Sequence, residues 1–185
     1  MHTNKILAIC PSIHPIKADR MWKSFAKTTH GRVATYSDTS TDKTITQIFN
    51  EAFKKSSDKD FYMMLNDDII FETDNWDLKL ANKGRISYGN DGIQGKNLCT
   101  FPMIDGDIVR ALGWLQLPSL NRYCGDVVWR TIGNSLGILD YHDDVKITHH
   151  WEGCSDPDMN TIDMGKFAEW LAVSQRDINK IKEIL

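Results

Sequence analysis

The sequence predicts an α/β protein with a mixed central sheet, parallel in its first part and flanked by helices. Three observations predict it. The first 68 residues run strand, helix, strand, helix, strand, an order that closes into a parallel sheet with helices packed on it. Phe61-Tyr62-Met63-Met64-Leu65 is a continuous apolar run, as a strand buried on both faces requires. That run stops at Asn66-Asp67-Asp68 before Ile69-Ile70-Phe71 resumes it. Carboxylates at the exit of a buried strand cannot be core. They belong at the carboxyl edge of the sheet, where open α/β folds bind ligands.

The elements follow in order. Lys5 to Cys10 is a short apolar run ended by Pro11-Ser12, the first strand. Asp19 to Lys27 reads as a helix, with Met21, Trp22 and Phe25 at helical spacing, and Gly31 breaks the chain. Arg32 to Tyr36 is the second strand. Ile45, Ile48, Phe49, Ala52 and Phe53 fall at i, i+3, i+4, i+7 and i+8, one apolar helix face, with Thr41 or Asp42 as its cap. The polar loop Ser56 to Asp60 leads into the acidic strand. Beyond it the pattern loosens. Trp76 to Leu80 suits a short helix, Lys79 to Asn97 reads as a loop rich in Gly, Asn and Lys, and Leu98 to Ile104 is apolar again. Asp107 to Leu112 is a helix ended by Gly113, and Gly125 to Ile132 another with Asp126 in its first turn. Asp143-Asp144 reads as a solvated turn, and Val145 to Thr148 as a strand running into His149-His150-Trp151. Asp163 to Leu185 reads as one C-terminal helix whose apolar stripe packs on the domain.

A chain of 185 residues is enough for a single domain with a real core. Its expected parts are a nucleotide-binding half (1–68), an acceptor-side half (69–151) and a C-terminal loop and helix (152–185). With 41% apolar and 25% charged residues, the composition is that of a globular protein, and a net charge of −3 provides no global basic field for nucleic acid. Cysteines at 10, 99, 124 and 154 have neither zinc spacing nor a disulfide framework, and isolated thiols fit a reducing cytosol. No apolar segment reaches about 18 residues, and the first residues lack a secretory signal pattern. The expectation is a cytoplasmic protein without membrane insertion.

No dinucleotide fingerprint, P-loop or nucleophile elbow is present. What remains is an acid pair after a buried strand, a later Asp opening a helix and a His pair after a late strand. Two adjacent carboxylates repel unless something positive neutralises them, and a hard divalent cation that also carries phosphate would do so. Each residue has a plainer reading beside this one. Asn66-Asp67-Asp68 also suits a polar turn, Asp126 suits a helix N-terminus by charge alone, and His149 suits an ordinary strand end. Trp76, Trp114 and Trp129 are candidates to stack on a sugar face, Trp114 beside Gly113 above the others.

This constellation, from about Lys5 to Trp151, resembles the GT-A glycosyltransferases, most closely the large inverting family with a shared nucleotide-sugar domain. Pro11-Ser12 followed by Arg20 resembles that family's opening Pro-Thr and Arg pattern. Ser37-Asp38 stands where the second strand meets the nucleobase, and Asn50-Glu51-Ala52 resembles an Asn followed by a small apolar pair. Asn66-Asp67-Asp68 takes the place of the Asp-any-Asp motif. Phe101-Pro102-Met103-Ile104 and Ala111-Leu112-Gly113-Trp114 resemble the acceptor-side segment. Cys124-Gly125-Asp126 resembles the Glu-Asp segment that supplies the base, and Val145 to His149 the late strand whose His completes a metal site.

The resemblance implies a GT-A-like domain that moves a sugar from a nucleotide-diphosphate sugar, a UDP-sugar by family frequency, to an acceptor hydroxyl with inversion. It implies Mn2+ or Mg2+ held by Asp68 and His149, with Asp126 as base. Pro11, Arg20, Ser37, Asp38, Asn50, Asn66, Asp67 and Trp114 would line the nucleotide-sugar. A retaining mechanism needs no base and stays open. The acceptor classes are a small molecule, a protein or a hydroxymethylated base in DNA. For the last, Lys79, Lys83, Arg85 and Lys96 form either a phosphate-facing surface or a solvated loop. Asn66 and Gly125 depart from the family pattern. They favour the alternative, a non-catalytic nucleotide-sugar or carbohydrate-binding module of the same fold.

Overall fold

The computed structural model describes residues 5–150 and 156–185; Trp151 and Cys154 lie outside them. The first 71 residues form β1 (Ile6–Pro11), α1 (Pro15–Thr28), β2 (Val33–Asp38), α2 (Ile45–Lys55), β3 (Phe61–Met64) and β4 (Ile69–Phe71). The second part adds α3 (Trp76–Leu80), β5 (Ile86–Asn90), β6 (Met103–Asp105), α4 (Gly106–Leu112), α5 (Gly125–Leu136), β7 (Leu139–His149), α6 (Pro157–Leu171) and α7 (Gln175–Lys182). One seven-stranded sheet results, in the order β2-β1-β3-β6-β5-β7-β4. β2, β1 and β3 are parallel. β6 runs antiparallel to both β3 and β5, β7 is parallel to β5, and β4 is antiparallel to β7. This is the α/β architecture expected, a mixed sheet covered by helices on both faces.

Alternation along the central strands makes the two layers. Leu7, Ile9, Tyr62 and Met64 point to one face, where they meet Phe49, Ala52 and Phe53 of α2, Ile108 and Val109 of α4, and Val128, Trp129 and Ile132 of α5. Ile6, Ala8, Cys10, Phe61 and Met63 point to the other, against Met21 and Phe25 of α1 and Trp76 and Leu80 of α3. All four residues of β3 are buried, as a strand covered on both sides must be.

Several boundaries differ from the sequence expectation. α1 begins at Pro15, not Asp19, because a proline is well accommodated in the first helical turn, where its missing N–H has no partner to lose. The cap of α2 is Thr44 rather than Thr41 or Asp42. Thr44 and Gln47 form a reciprocal capping box. The stretch read as a loop holds β5, Ile86-Ser87-Tyr88-Gly89-Asn90, whose alternation of Ile86 and Tyr88 with Ser87 and Gly89 is too short to stand out and which is buried from Ile86 to Gly89. Gly89 is obligatory there, since a Cβ would come within 2.4 Å of the Val145 carbonyl oxygen. β7 starts at Leu139 and takes in Asp143-Asp144, the presumed turn, as part of a long strand that pairs with β5 irregularly after Gly89. The C-terminal helix is two helices, broken between Leu171 and Gln175.

Candidate active site at the carboxyl edge of the sheet

The parallel strands β1, β2 and β3 all end on one edge, and the site forms there. At the end of β1, buried Pro11 leads to Ser12, whose main-chain N–H donates to the Asp38 carbonyl at 3.0 Å. The Ser12 hydroxyl donates to the Asp67 carboxylate. Ser12 therefore links the ends of β1, β2 and β3. At the end of β2, Ser37 Oγ accepts from Trp22 Nε1 at 3.0 Å. Asp38 accepts from the Ser40 main chain at 2.8 Å, from the Ser40 hydroxyl and from Lys43 Nζ. The Ser40 bonds and Lys43 hold the Asp38 carboxyl below its ordinary range, against the opposing effect of burial.

Antiparallel pairing of β4 with β7 places Ile69 opposite His149. Asp68, one residue before Ile69, therefore meets a histidine from the far end of the chain. The His150 main-chain N–H donates to the Asp68 carbonyl at 2.8 Å, and His149 Nε2 lies 3.4 Å from Asp68 Oδ1. Both of these side-chain atoms are buried and lack a hydrogen-bond partner among the described residues. Burial opposes ionisation of Asp68, but His149, a backbone hydrogen bond and Lys17 together hold the carboxyl below its ordinary range. An oxygen and an imidazole nitrogen facing each other without partners fit a divalent cation of the manganese or magnesium kind. No third His, Cys, Asp or Glu among the described residues completes a cage, so such an ion would need oxygens from a ligand.

Asp126 stands in the first turn of α5 and is half-buried. Burial pushes its carboxyl up from the ordinary range, and the charge of Asp91 adds to this. The Val127 main-chain N–H, 2.8 Å from Oδ1, and His149 pull the other way. Gly125 is closely packed beside it, since a Cβ would meet the Gln116 side chain at 3.2 Å and Met64 at 3.4 Å, tighter than ordinary contact. Buried Gln116 thus fills the space that a glutamate at 125 would enter.

Some expected site residues are placed elsewhere. Asn50 faces the Leu115-Gln116 backbone. Its Oδ1 accepts both N–H groups, at 2.8 and 3.0 Å, and its Nδ2 donates to the Gln116 carbonyl at 2.8 Å. It holds a loop rather than a ligand. Trp114 is buried, its ring 5.6 Å from that of Trp129, because that loop folds inward. Arg20 is exposed on α1, and Asn66 is exposed at the turn. The basic stretch is largely tied down. Lys79 pairs with Asp144, Lys83 lies 3.9 Å from Asp60 and 3.8 Å from Asp105, and Arg85 donates to the Gly137 carbonyl at 2.8 Å. Sequence reasoning missed Asp91, which is buried at the end of β5 and electrostatically felt at Asp126. The only signal for it was an Asn-Asp-Gly tripeptide, which reads as a turn.

No family model matches the chain, and no curated protein matches it. Among solved structures it is similar to the crystal structure of a glycosyltransferase involved in the glycosylation of the major capsid of PBCV-1. The TM-score is 0.52 at 13% identity, over 80% of this chain and 96% of that one. At that identity the likeness is one of fold alone.

Proposed function

We propose that this chain is a metal-dependent glycosyltransferase that moves a sugar from a nucleotide-diphosphate sugar to an acceptor hydroxyl with inversion. The observation that carries the reading is the Asp68–His149 pair. Two buried side-chain atoms 3.4 Å apart, with no hydrogen-bond partner beyond each other among the described residues, lie at the carboxyl edge of the sheet, and a carboxylate with a raised pKa stands on the helix nearby. The glycosyltransferase-like fold supports the same reading.

Asp68 and His149 would hold Mn2+ or Mg2+, which when bound supplies Lewis-acid stabilisation of the departing diphosphate. Ser12 keeps Asp67 fixed at the turn, where Asp67 would help to bind the ribose. Ser37 and Asp38 bound the nucleobase end at β2. Asp126 takes the proton from the acceptor hydroxyl as that oxygen attacks the anomeric carbon, and the bond to the diphosphate oxygen breaks with its electron pair leaving on the nucleotide. A base whose pKa is raised by burial suits this task, being a stronger proton acceptor than an ordinary surface carboxylate. UDP is the nucleotide to test first. Lys79, Lys83 and Arg85 already have partners, so small-molecule and protein acceptors precede DNA in the assay order.

The test is release of UDP from a panel of UDP-sugars with Mn2+, in the wild type and in Asp126→Asn. The reading expects turnover with at least one donor, lost in the variant while donor affinity is kept. Donor binding without turnover in the wild type, on every acceptor class, would make the chain a nucleotide-sugar-binding module instead.

A further inference from the structure

His149 is held at two points. Its main-chain N–H donates to the Asp91 carbonyl at 3.0 Å. The Asp91 carboxylate also anchors the segment that follows it. One oxygen accepts the N–H groups of Ile93, Gln94 and Gly95 at 3.0, 2.7 and 2.9 Å. That segment ends at Phe101, which brings its ring back onto the imidazole. The Phe101 and His149 ring centroids are 5.0 Å apart and the planes stand at 82°, an edge-to-face contact.

The backbone at Phe101 is unusual. Its φ is +49°, in the left-handed region that residues with a Cβ avoid. Pro102 follows, and a residue before proline is pushed towards extended backbone, so the position is disfavoured twice. The other described non-glycine residues with positive φ are Asn75 and Cys124. Asparagine tolerates the region, and Cys124 sits directly before α5 and Asp126. Phe101 has no such local excuse. It is buried, and strain of this kind persists where the surrounding structure over-determines it, often at functional positions. Apart from the Asp68 carboxylate 3.4 Å away, no polar group holds His149 Nε2, so packing shares in setting the direction of that nitrogen.

We propose that Phe101 is a positioning residue for His149. The left-handed turn at 101 lays the phenyl ring against the imidazole and keeps Nε2 directed at Asp68 Oδ1. The consequence for metal binding rests on the function proposed above; the orientation of the ring does not. Phe101 touches neither substrate nor metal in this role and acts only through the histidine.

The experiment has two arms. The first is NMR of the metal-free protein with labelled histidine, with the His149 signals assigned by His149→Gln. The wild type and Phe101→Tyr should show one sharp His149 ring with contacts to residue 101. Phe101→Leu, which keeps bulk and backbone strain, should shift and broaden those signals. Phe101→Gly, which relaxes the backbone, should do the same, separating the ring from the strain. His14 and His30, on other elements, and His142, seven residues earlier on β7, report whether the fold is intact. The second arm is Mn2+-dependent UDP affinity, expected to fall about three- to tenfold in Phe101→Leu, the range an aromatic pair is worth, and to be retained in Phe101→Tyr. An unchanged His149 ring in both Phe101→Leu and Phe101→Gly would overturn the proposal. Absence of Mn2+-dependent UDP binding in the wild type would sink the proposed function instead, and the histidine spectra would still decide the role of Phe101.

Discussion

Asp126 and Asp68 are both acids at one sheet edge, and their surroundings push them in opposite directions. At Asp68 burial is offset by His149, a backbone hydrogen bond and Lys17, which together hold its carboxyl below the ordinary range. Burial, reinforced by Asp91, makes Asp126 the better proton acceptor. Removing a general base typically lowers turnover by about 10²- to 10⁴-fold, and Asp126→Asn should fall in that range with donor affinity unchanged. The acid limb of kcat/KM should lie above the ordinary carboxylate range, with activity falling as pH drops through the raised pKa. Stability has the opposite sign. A carboxyl whose pKa is raised by folding disfavours the folded state increasingly as pH climbs from its ordinary value through the raised one. Asp126→Asn should therefore be no less stable than the wild type at neutral pH, as chemical denaturation would show. Asn50 gives the converse case. Asn50→Ala removes three hydrogen bonds to the Leu115-Gln116 backbone and should cost about 1–3 kcal/mol while leaving UDP affinity unchanged. A loss of affinity without a loss of stability would return Asn50 to the nucleotide site.

The helices and loops that carry these residues have their own supports. The loop before α5 is pinned by Asp163 of α6, which accepts the main-chain N–H groups of Asn121, Arg122 and Tyr123 and the Asn121 side-chain amide. Burial opposes its charge, yet these bonds hold its carboxyl below the ordinary 3.8. The stability that Asp163 contributes is therefore fully present above that value and lost as pH falls through the lower, folded one. Asp163→Ala should cost roughly 3 kcal/mol or more, as when a buried charge network loses one partner, and should flatten the acid side of the denaturation profile. Thr44→Ala should cost about 1 kcal/mol through the capping box of α2. The sequence was readable where one signal ruled. The Ile45 to Phe53 face has a period that only a helix satisfies, and the apolar run at Phe61 has strand length with polar stretches at both ends. The sequence was unreadable at β5 and in the first half of β7, where strand pairing overrides local propensity; Val145 to Thr148, the second half of β7, was legible as a strand. The stretch Asp140 to Asp144 is polar except for Tyr141, and Asp140 to His142 enter the sheet because β5 lies beside them, while Asp143-Asp144 fall where that pairing is irregular. Asn82 and Asn90 also take up two of its carboxylates.

Across the whole molecule, the order of elements was enough to foresee an α/β sheet and the edge on which its acids collect. Pairing partners were not. The insertion of β6 between β3 and β5, and the return of β4 onto β7, are contacts between distant segments that no local pattern encodes. The juxtaposition of Asp68 with His149 follows from the second of these, and only family resemblance anticipated it. Asp91 and Phe101 stayed hidden for the same reason, since each acquires its neighbour through the sheet. If the edge is a nucleotide-diphosphate site, metal and nucleotide together should stabilise the protein in proportion to their affinity, by about 2.7 kcal/mol at a hundredfold excess over Kd. The decisive measurement is calorimetry of UDP with and without Mn2+, on the wild type and Asp68→Ala. Binding that requires Mn2+ and vanishes in Asp68→Ala is the expected result. Binding that is indifferent to both, or no binding to UDP, GDP or a thymidine diphosphate, would contradict the glycosyltransferase reading and leave Asn66-Asp67-Asp68 as a polar turn.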